Sequence, residues 1–331
     1  MVQDATSARP FEDRYVPAPT LIIINPKAGK KPPRISRLEA RLKDVLGGEV
    51  ELARTQKPRD AIRIAREAVR SGVGRLVVGG GDGTLSEVVT GVLDARLGNE
   101  VEIGFLPLGS GCDLARSVGL PREISRSLEL LAHGERRTLD AGRVKFMGRD
   151  GTPGSFCFIN ETSFGLSGLT VDWMNRFGRR LGPRLGFALA AAQAVLRGPK
   201  PDVVISVDGH EVHSGPTSMV VVANGCFFGG GMKIAPDAKP DDGEFDVVIV
   251  RPLSRPRFLA NFPSLYRGTH LSHPAVRVFR GRQVEAHPQN GSEALLDTDG
   301  EAMGGLPISV ELLPKAIRFF GFPTDREESN S

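Results

Sequence analysis

The sequence predicts an α/β domain on a largely parallel sheet, followed by a C-terminal antiparallel β-sandwich, with the active site in the cleft between them. Three observations carry this expectation. From Leu21 to Asp140, short continuous apolar runs alternate with amphipathic helical stretches. Beyond Asp140, short β runs follow one another closely, with Gly, Pro or Asp between them. Glycine-rich segments stand where strands of the first half end. The expected division is an α/β domain over 19–140, completed by about 314–322, and a β-rich domain over 141–313.

In order, LIIIN reads as a buried strand, RISRLEARLKDVL as an amphipathic helix and VELART as a second strand. DAIRIAREAVRSG is a helix ending at Gly72, RLVVGG a third strand and TLSEVVTGVL a helix. EIGFLPLG is a fourth strand leading into the helical DLARSVG. Apolar strands without alternation imply a sheet covered on both faces, hence largely parallel pairing. In the second half GSFCFIN, DVVISVDG, SMVVVANG, GEFDVVIV, AVRVFRG and QVEAH read as strands. One helical insertion is expected at about Asp172 to Leu196, and PISVELLPKAIRFF closes the chain.

Composition excludes several classes. The 40 glycines and 24 prolines have no fixed period, so neither a collagen nor a low-complexity chain fits. The formal net charge is +4, with no basic run and only 6% aromatic residues, which argues against a nucleic-acid partner. The mild excess suits an anionic ligand or an anionic membrane surface. Cys112, Cys157 and Cys226 have no metal-ligand spacing, and a reducing compartment is the expectation. Residues 1–18 read as a loose leader without a signal-peptide core, and 323–331 as a polar tail. Phe187–Leu196 is too short to span a bilayer. A cytoplasmic chain, peripheral on the inner face of the membrane, is the expected localisation.

The chemistry concentrates at the strand ends. In Gly79–Thr84, glycines let backbone amides approach an anion, and the following helix adds its positive end. Asp82 among such amides would repel a phosphate unless a cation sits between them, which suggests Mg²⁺. A tight turn with Asp82 as helix cap is the alternative. NPKAGK offers a second phosphate-facing loop or a plain Pro-Gly turn. PLGSGCDLARS presents Ser110, Gly111 and Asp113 before another helix, Asp113 reaching the metal through a water or a ligand, or capping the helix. Two such loops on adjacent strands build one nucleotide cleft. Asp297, Asp299 and Glu301 in LLDTDGEAM read, on pattern, as a solvated loop. No P-loop lysine follows the glycines, and the six histidines show no metal-binding pairing.

NPKAGK at Asn25–Lys30, GGGDGTLSEV at Gly79–Val88, PLGSGCDLARSVGLP at Pro107–Pro121 and DGE at Asp299–Glu301 together resemble the diacylglycerol kinase catalytic-domain family. That family includes bacterial diacylglycerol kinases, sphingosine kinases and ceramide kinases. The resemblance implies that Asn25, Pro26, Lys27, Gly29, Thr55, Gly80, Gly81, Asp82, Gly83, Thr84 and Ser110 contact ATP. It implies Glu301 as general base, accompanied by Asp82 and by Asp140 near the acceptor hydroxyl. It places catalytic Mg²⁺ at Asp82 and Asp113, and a structural Mg²⁺ at Asp242 with the carbonyls of Lys239 and Glu244. An acidic hairpin with a DDG turn is the alternative for that last site. Cys112 stands where the family commonly has Asn. Asn160–Gly168 corresponds to a stretch lining the acceptor pocket. Arg176, Arg179, Arg180 and Arg184 beside an apolar helix suit anionic lipid headgroups, or are simply a solvated helix end.

The implied activity is an ATP- and Mg²⁺-dependent lipid kinase acting on diacylglycerol, ceramide or a sphingoid base at a membrane surface. An NAD kinase shares the GGDGT loop and an Asn-Glu pair like Asn160–Glu161, and its soluble acceptor separates the two. A catalytically silent nucleotide-binding module would bind ATP without turnover. Oligomeric state is open, a homodimer being one option.

Overall fold

The computed structural model describes residues 19–29, 35–98, 100–177 and 183–324. Strands β1 (Thr20–Ile24), β2 (Val50–Arg54), β3 (Arg75–Gly80) and β4 (Glu102–Pro107) pair in parallel in the order β2-β1-β3-β4. Every residue of β1 and β3 is buried, as continuous apolar strands between two helical layers require. Alternate residues feed opposite cores. Ile22, Ile24 and Val77 pack with Leu38 and Leu42 of helix α1 (Ile35–Leu46) and Leu128 and Leu131 of α5 (Ile124–His133). Leu21, Ile23, Leu76 and Val78 pack with Ala65 of α2 (Asp60–Arg70) and Leu85, Val88 and Val92 of α3 (Asp82–Asp94).

Two long strands carry the chain from one half to the other. β5 (Glu135–Met147) lies antiparallel to β15 (Glu301–Phe322), and the end of β15 pairs in parallel with β4 at Arg318–Phe320. The last strand thus joins the N-terminal sheet. Asp140 sits inside β5, not at a break in it.

All other pairings are antiparallel. β6 (Pro153–Phe158), β7 (Glu161–Gly165), β8 (Asp202–Val207), β9 (His210–Pro216) and β10 (Met219–Ala223) are followed by β11 (Phe245–Val250), β12 (Val276–Gly281), β13 (Gln283–Pro288) and β14 (Leu295–Thr298). Phe156, Phe158, Phe164, Val220, Phe245, Val284 and Val310 fill one core between the layers, the inward set of a β-sandwich.

The expected single insertion is two helices, α6 (Leu166–Phe177) and α7 (Pro183–Arg197). α6 begins six residues earlier than read because Gly165, at φ 90°, turns β7 straight into it. α5 and α8 (Arg255–Arg267) were not expected. The three prolines at and around α8's ends and interior hide its pattern, although Pro256 sits in its first turn, where proline is tolerated. No helix among the described residues is long and apolar enough to cross a membrane.

Candidate active site

The glycine loop ends β3 and starts α3 two residues sooner than read. Gly81 is the extended cap residue and Asp82 the first helical one, so Thr84 lies within the helix. Thr84 accepts a hydrogen bond from Asn25 Nδ2 at 3.1 Å, joining the first loop to the glycine loop. Asn25 donates its amide to Gly79 O at 2.9 Å and its Oδ1 receives the amide of Lys27 at 3.0 Å. Pro26 is half-buried and Lys27 exposed beside it. Thr55 lies level with them, its amide donating to Ile24 O at 3.0 Å. It does not cap α2, whose cap position is Arg59.

Several glycines here are demanded by close approach. A Cβ on Gly29, at φ 80°, would lie 2.4 Å from Leu108 O; one on Gly80 would lie 2.6 Å from Thr84 Cβ. A Cβ on Gly109 would lie 2.6 Å from Gly81 Cα, so the loops after β3 and β4 touch through their backbones.

Asp82 does not cap its own helix. Its carboxylate receives the amides of Asp113 at 2.8 Å and Leu114 at 3.3 Å, capping the short helix α4 (Asp113–Ser117). Asp113 in turn bonds Arg116 and receives the Gly230 amide at 2.6 Å. Burial raises its carboxyl. Burial, with Asp113 and Asp299 close by, pushes Asp82 up to about 7. Cys112 takes the left-handed conformation at φ 51°, which Asn adopts more readily than most side chains. Its buried thiol lies 3.4 Å from Gly109 O, and burial pushes it up to about 12, so it is a packing group and no nucleophile. Ser110 is exposed; its carbonyl and that of Gly109 accept from Arg122, at 3.1 and 2.8 Å.

The DGE turn comes from the opposite half. Glu301 opens β15 against the first turn of α3, and a Cβ on Gly83 would lie 2.9 Å from Glu301 Oε1. Glu301 thus lies against the turn of α3 that Asp82 opens. The solvated loop expected around them is not found: Asp297 and Asp299 are buried. Asp299 bonds Ser86 Oγ on α3 and receives the amides of Ile159 at 3.0 Å and Glu161 at 2.8 Å. Burial pushes it up to about 6. Behind it burial raises the carboxyls of Glu161 and Asp297 well above the carboxylate range, helped by Asp297 and Asp299 at Glu161 and by Asp299 and Glu301 at Asp297. Ser86, Arg116 and Arg122 were missed in the sequence: Ser86 and Arg116 are ordinary helix residues until the fold brings Asp299 and Asp113 to them, and Arg122 lies in the exposed link between α4 and α5.

Asp140 is placed differently from its expected seat near the acceptor. It is fully buried, and its two carboxylate oxygens receive the amides of Gly243 at 2.8 Å and Lys315 at 2.6 Å. Nothing of it is exposed to meet a hydroxyl; it clamps the 237–243 loop to β5 and β15.

The expected structural metal loop is also otherwise engaged. Asp242 donates its amide to Lys239 O at 3.5 Å and receives that of Glu244 at 3.2 Å. The Arg280 guanidinium bonds the carboxylate of Asp242 and lies 3.1 Å from Glu244 and 3.4 Å from Asp246. An internal cation thus occupies the Asp242 carboxylate that a metal would need. Arg179 and Arg180, and the side chains of Arg176 and Arg184, lie outside the described residues, as does Lys30.

Residues 19–144 match the diacylglycerol kinase catalytic domain, and residues 160–321 the YegS C-terminal NAD kinase beta sandwich-like domain. The chain is 31% identical to the probable lipid kinase YegS-like of Chromohalobacter salexigens, over 90% of this chain and 91% of that protein. It belongs to the diacylglycerol kinase catalytic-domain family. The diacylglycerol kinase of Bacillus subtilis is 30% identical over 86% of this chain and 90% of its own. A diacylglycerol kinase structure from Bacillus anthracis superposes with a TM-score of 0.68 at 20% identity, covering 92% of this chain and 97% of that one. Yeast NADH kinase shares the fold at 12% identity and a TM-score of 0.55, over 94% of this chain and 85% of its own. Membership of this kinase family points to phosphoryl transfer and implies ATP as donor.

Two predictions arise here. Asp82, Asp299, Glu161 and Asp297 all bind protons more tightly folded than unfolded, so their contribution to stability is full below about pH 4 and falls as pH rises, that of Asp299 and Asp82 being lost through about 6 and about 7. The melting temperature of this diacylglycerol kinase family member, without ligands, falls between about pH 5 and pH 8. A flat or rising profile in a calorimetric pH series would refute the burial argument. Second, Arg280→Gln leaves Asp242, Glu244 and Asp246 without their cation. Magnesium should raise the melting temperature of that variant more than that of the wild type; equal shifts would show that Arg280 does not hold the site.

Proposed function

We propose that the chain is an ATP- and Mg²⁺-dependent lipid kinase that phosphorylates a lipid hydroxyl, with diacylglycerol, ceramide or a sphingoid base as acceptor. The observation that carries it is the meeting of Glu301 with the first turn of α3, beside Asp82. The glycine loop, Asn25, Lys27, Gly29, Thr55 and Ser110 line the nucleotide's side of the cleft, on residues 19–140 and the end of β15. Residues 141–313 present the acceptor. Glu301 takes the proton of the acceptor hydroxyl as its oxygen attacks the γ-phosphorus, and the bond to the β-phosphate oxygen breaks.

Asp82 fits a divalent cation, since burial and the nearby Asp113 and Asp299 hold its carboxyl up, whereas the carboxylate of Asp113 is already paired with Arg116. When bound there, magnesium supplies charge neutralisation at the phosphates. Asp82 keeps the loops after β3 and β4 together by capping α4. Asp140 is a positioning residue in this reading. The structural magnesium expected at Lys239, Asp242 and Glu244 does not fit, because Arg280 is already there. The protein works as a peripheral enzyme at the cytoplasmic face of a membrane.

The test is transfer of labelled γ-phosphate from ATP to diacylglycerol, ceramide, sphingosine, monoacylglycerol and phosphatidylglycerol in mixed micelles, with NAD as soluble control. One labelled lipid names the acceptor. Labelled NAD alone would favour the second reading, for which the shared fold of yeast NADH kinase speaks. No label with retained ATP binding would indicate a silent module.

A further inference from the structure

Helix α8 has an unusual balance of burial and charge. Of its thirteen residues only Leu265 is buried. Leu259 and Tyr266, two turns apart on one side, are 51% and 48% exposed. Pro256, Ala260 and Pro263 extend that exposed apolar face, and Arg255, Arg257 and Arg267 stand at its two ends. α7 touches α8 and adds exposed Leu189 and Leu196. Isolated exposed leucines are ordinary, but a contiguous apolar face rimmed by one sign of charge marks an interaction surface.

The basic excess, dispersed when read along the whole chain, gathers here. From Arg251 to Gln283 there are seven arginines and no acidic residue, more positive charge than the formal net charge of +4. Arg280 is committed to its carboxylates; among the described residues Arg251, Arg255, Arg257, Arg267 and Arg277 are exposed and pair with none. Arg251 and Arg277 also wall an open groove of about 470 Å³ between β9 and the segment leading to α8, with His213 and, as its one acid, Glu211. Arg251 is held there by Pro274 O at 2.6 Å, and Arg277 by stacking at 4.7 Å on the Phe279 ring.

We propose that α8, with the exposed side of α7, seats the protein on a bilayer containing anionic phospholipid, the Arg251–Arg277 groove taking a headgroup phosphate. The apolar face enters the headgroup boundary while the arginines at its ends meet the negative surface. Its arginines, between Arg251 and Arg277, are other residues than the four at 176–184 considered from sequence. It complements the lipid-kinase reading, but vesicle binding needs no turnover, so each can fail without the other.

Co-sedimentation of the full chain with vesicles tests it. Vesicles of phosphatidylcholine with phosphatidylglycerol should bind the protein, more weakly as salt rises, while phosphatidylcholine alone should not. Arg255→Gln/Arg257→Gln/Arg267→Gln should lower partitioning about a hundred-fold. Leu259→Asn/Tyr266→Asn should lower it about tenfold, with only a small fall in melting temperature, since both are half exposed and the edge contact of Tyr266 with Phe262 is what is lost. Arg251→Gln/Arg277→Gln should remove the preference for phosphatidylglycerol, and millimolar inorganic phosphate should compete only weakly. Wild-type binding by the α8 variants, or equal binding to neutral vesicles, would overturn the proposal. So would full competition by phosphate, which would make the groove a free-anion site. A dimer that Leu259→Asn/Tyr266→Asn dissolves, with no vesicle binding, would make the face a contact between copies of this chain.

Discussion

Asp82→Asn should lower phosphoryl transfer by roughly a thousand-fold or more while leaving the fold intact. The asymmetry comes from what the carboxylate does. As a cap, it receives two amides from α4, and an asparagine oxygen can still receive one of them. The lost bond costs roughly 1 kcal/mol, and removing a buried acid held up at about 7 offsets that cost. In the proposed reading the charge itself is irreplaceable, because Asp82 would hold the phosphates' cation. Turnover of the labelled lipid and a melting curve, on the same preparation, check both halves. Activity within tenfold of the wild type would remove Asp82 from the reaction. A collapsed melting curve would make it a structural cap first.

Asp299→Ala is expected to have the largest effect on stability. It deletes the acceptor for Ser86 Oγ and for the amides of Ile159 and Glu161, all buried. Each stranded donor costs roughly 1–3 kcal/mol. Relief of repulsion with Asp82, Glu161 and Asp297 returns part of this, leaving a loss of about 3 kcal/mol, or about 5 °C in melting temperature for a chain of this size. Asp299→Asn keeps one acceptor and should lie between. Activity should fall with it, since Asp299 precedes Glu301 by two residues and fixes the turn through left-handed Asp299 and Gly300, at φ 47° and 81°. A melting temperature equal to the wild type's would mean that these donors find other partners.

The two residues also divide what could be read in advance from what could not. Asp82 was legible because a carboxylate among glycines at a strand end has few bland explanations. Its partner was not: that the carboxylate caps α4 and not its own helix depends on β3 and β4 lying side by side. Asp299 was read as solvated because acids beside a glycine usually are. Only the pairing of β14 with β7 and β15 reveals it as a buried acceptor. Asp140 and Asp242 show the same limit: the motif located them, while the amides of Gly243 and Lys315 and the guanidinium of Arg280 decide what they can do.

Local pattern and motif spacing determined the element order of the first half, the change to antiparallel strands after it, and the family. These are properties of neighbours in the chain, where strand burial, glycine freedom and helix periodicity act over a few residues. Tertiary structure alone decided that Glu301 lies against Gly83, that five acids from four elements share one buried neighbourhood, and that α8 presents its arginines around an apolar face. Contacts between residues more than two hundred positions apart, such as Ser86 with Asp299, depend on how sheets close, and no local interaction encodes that.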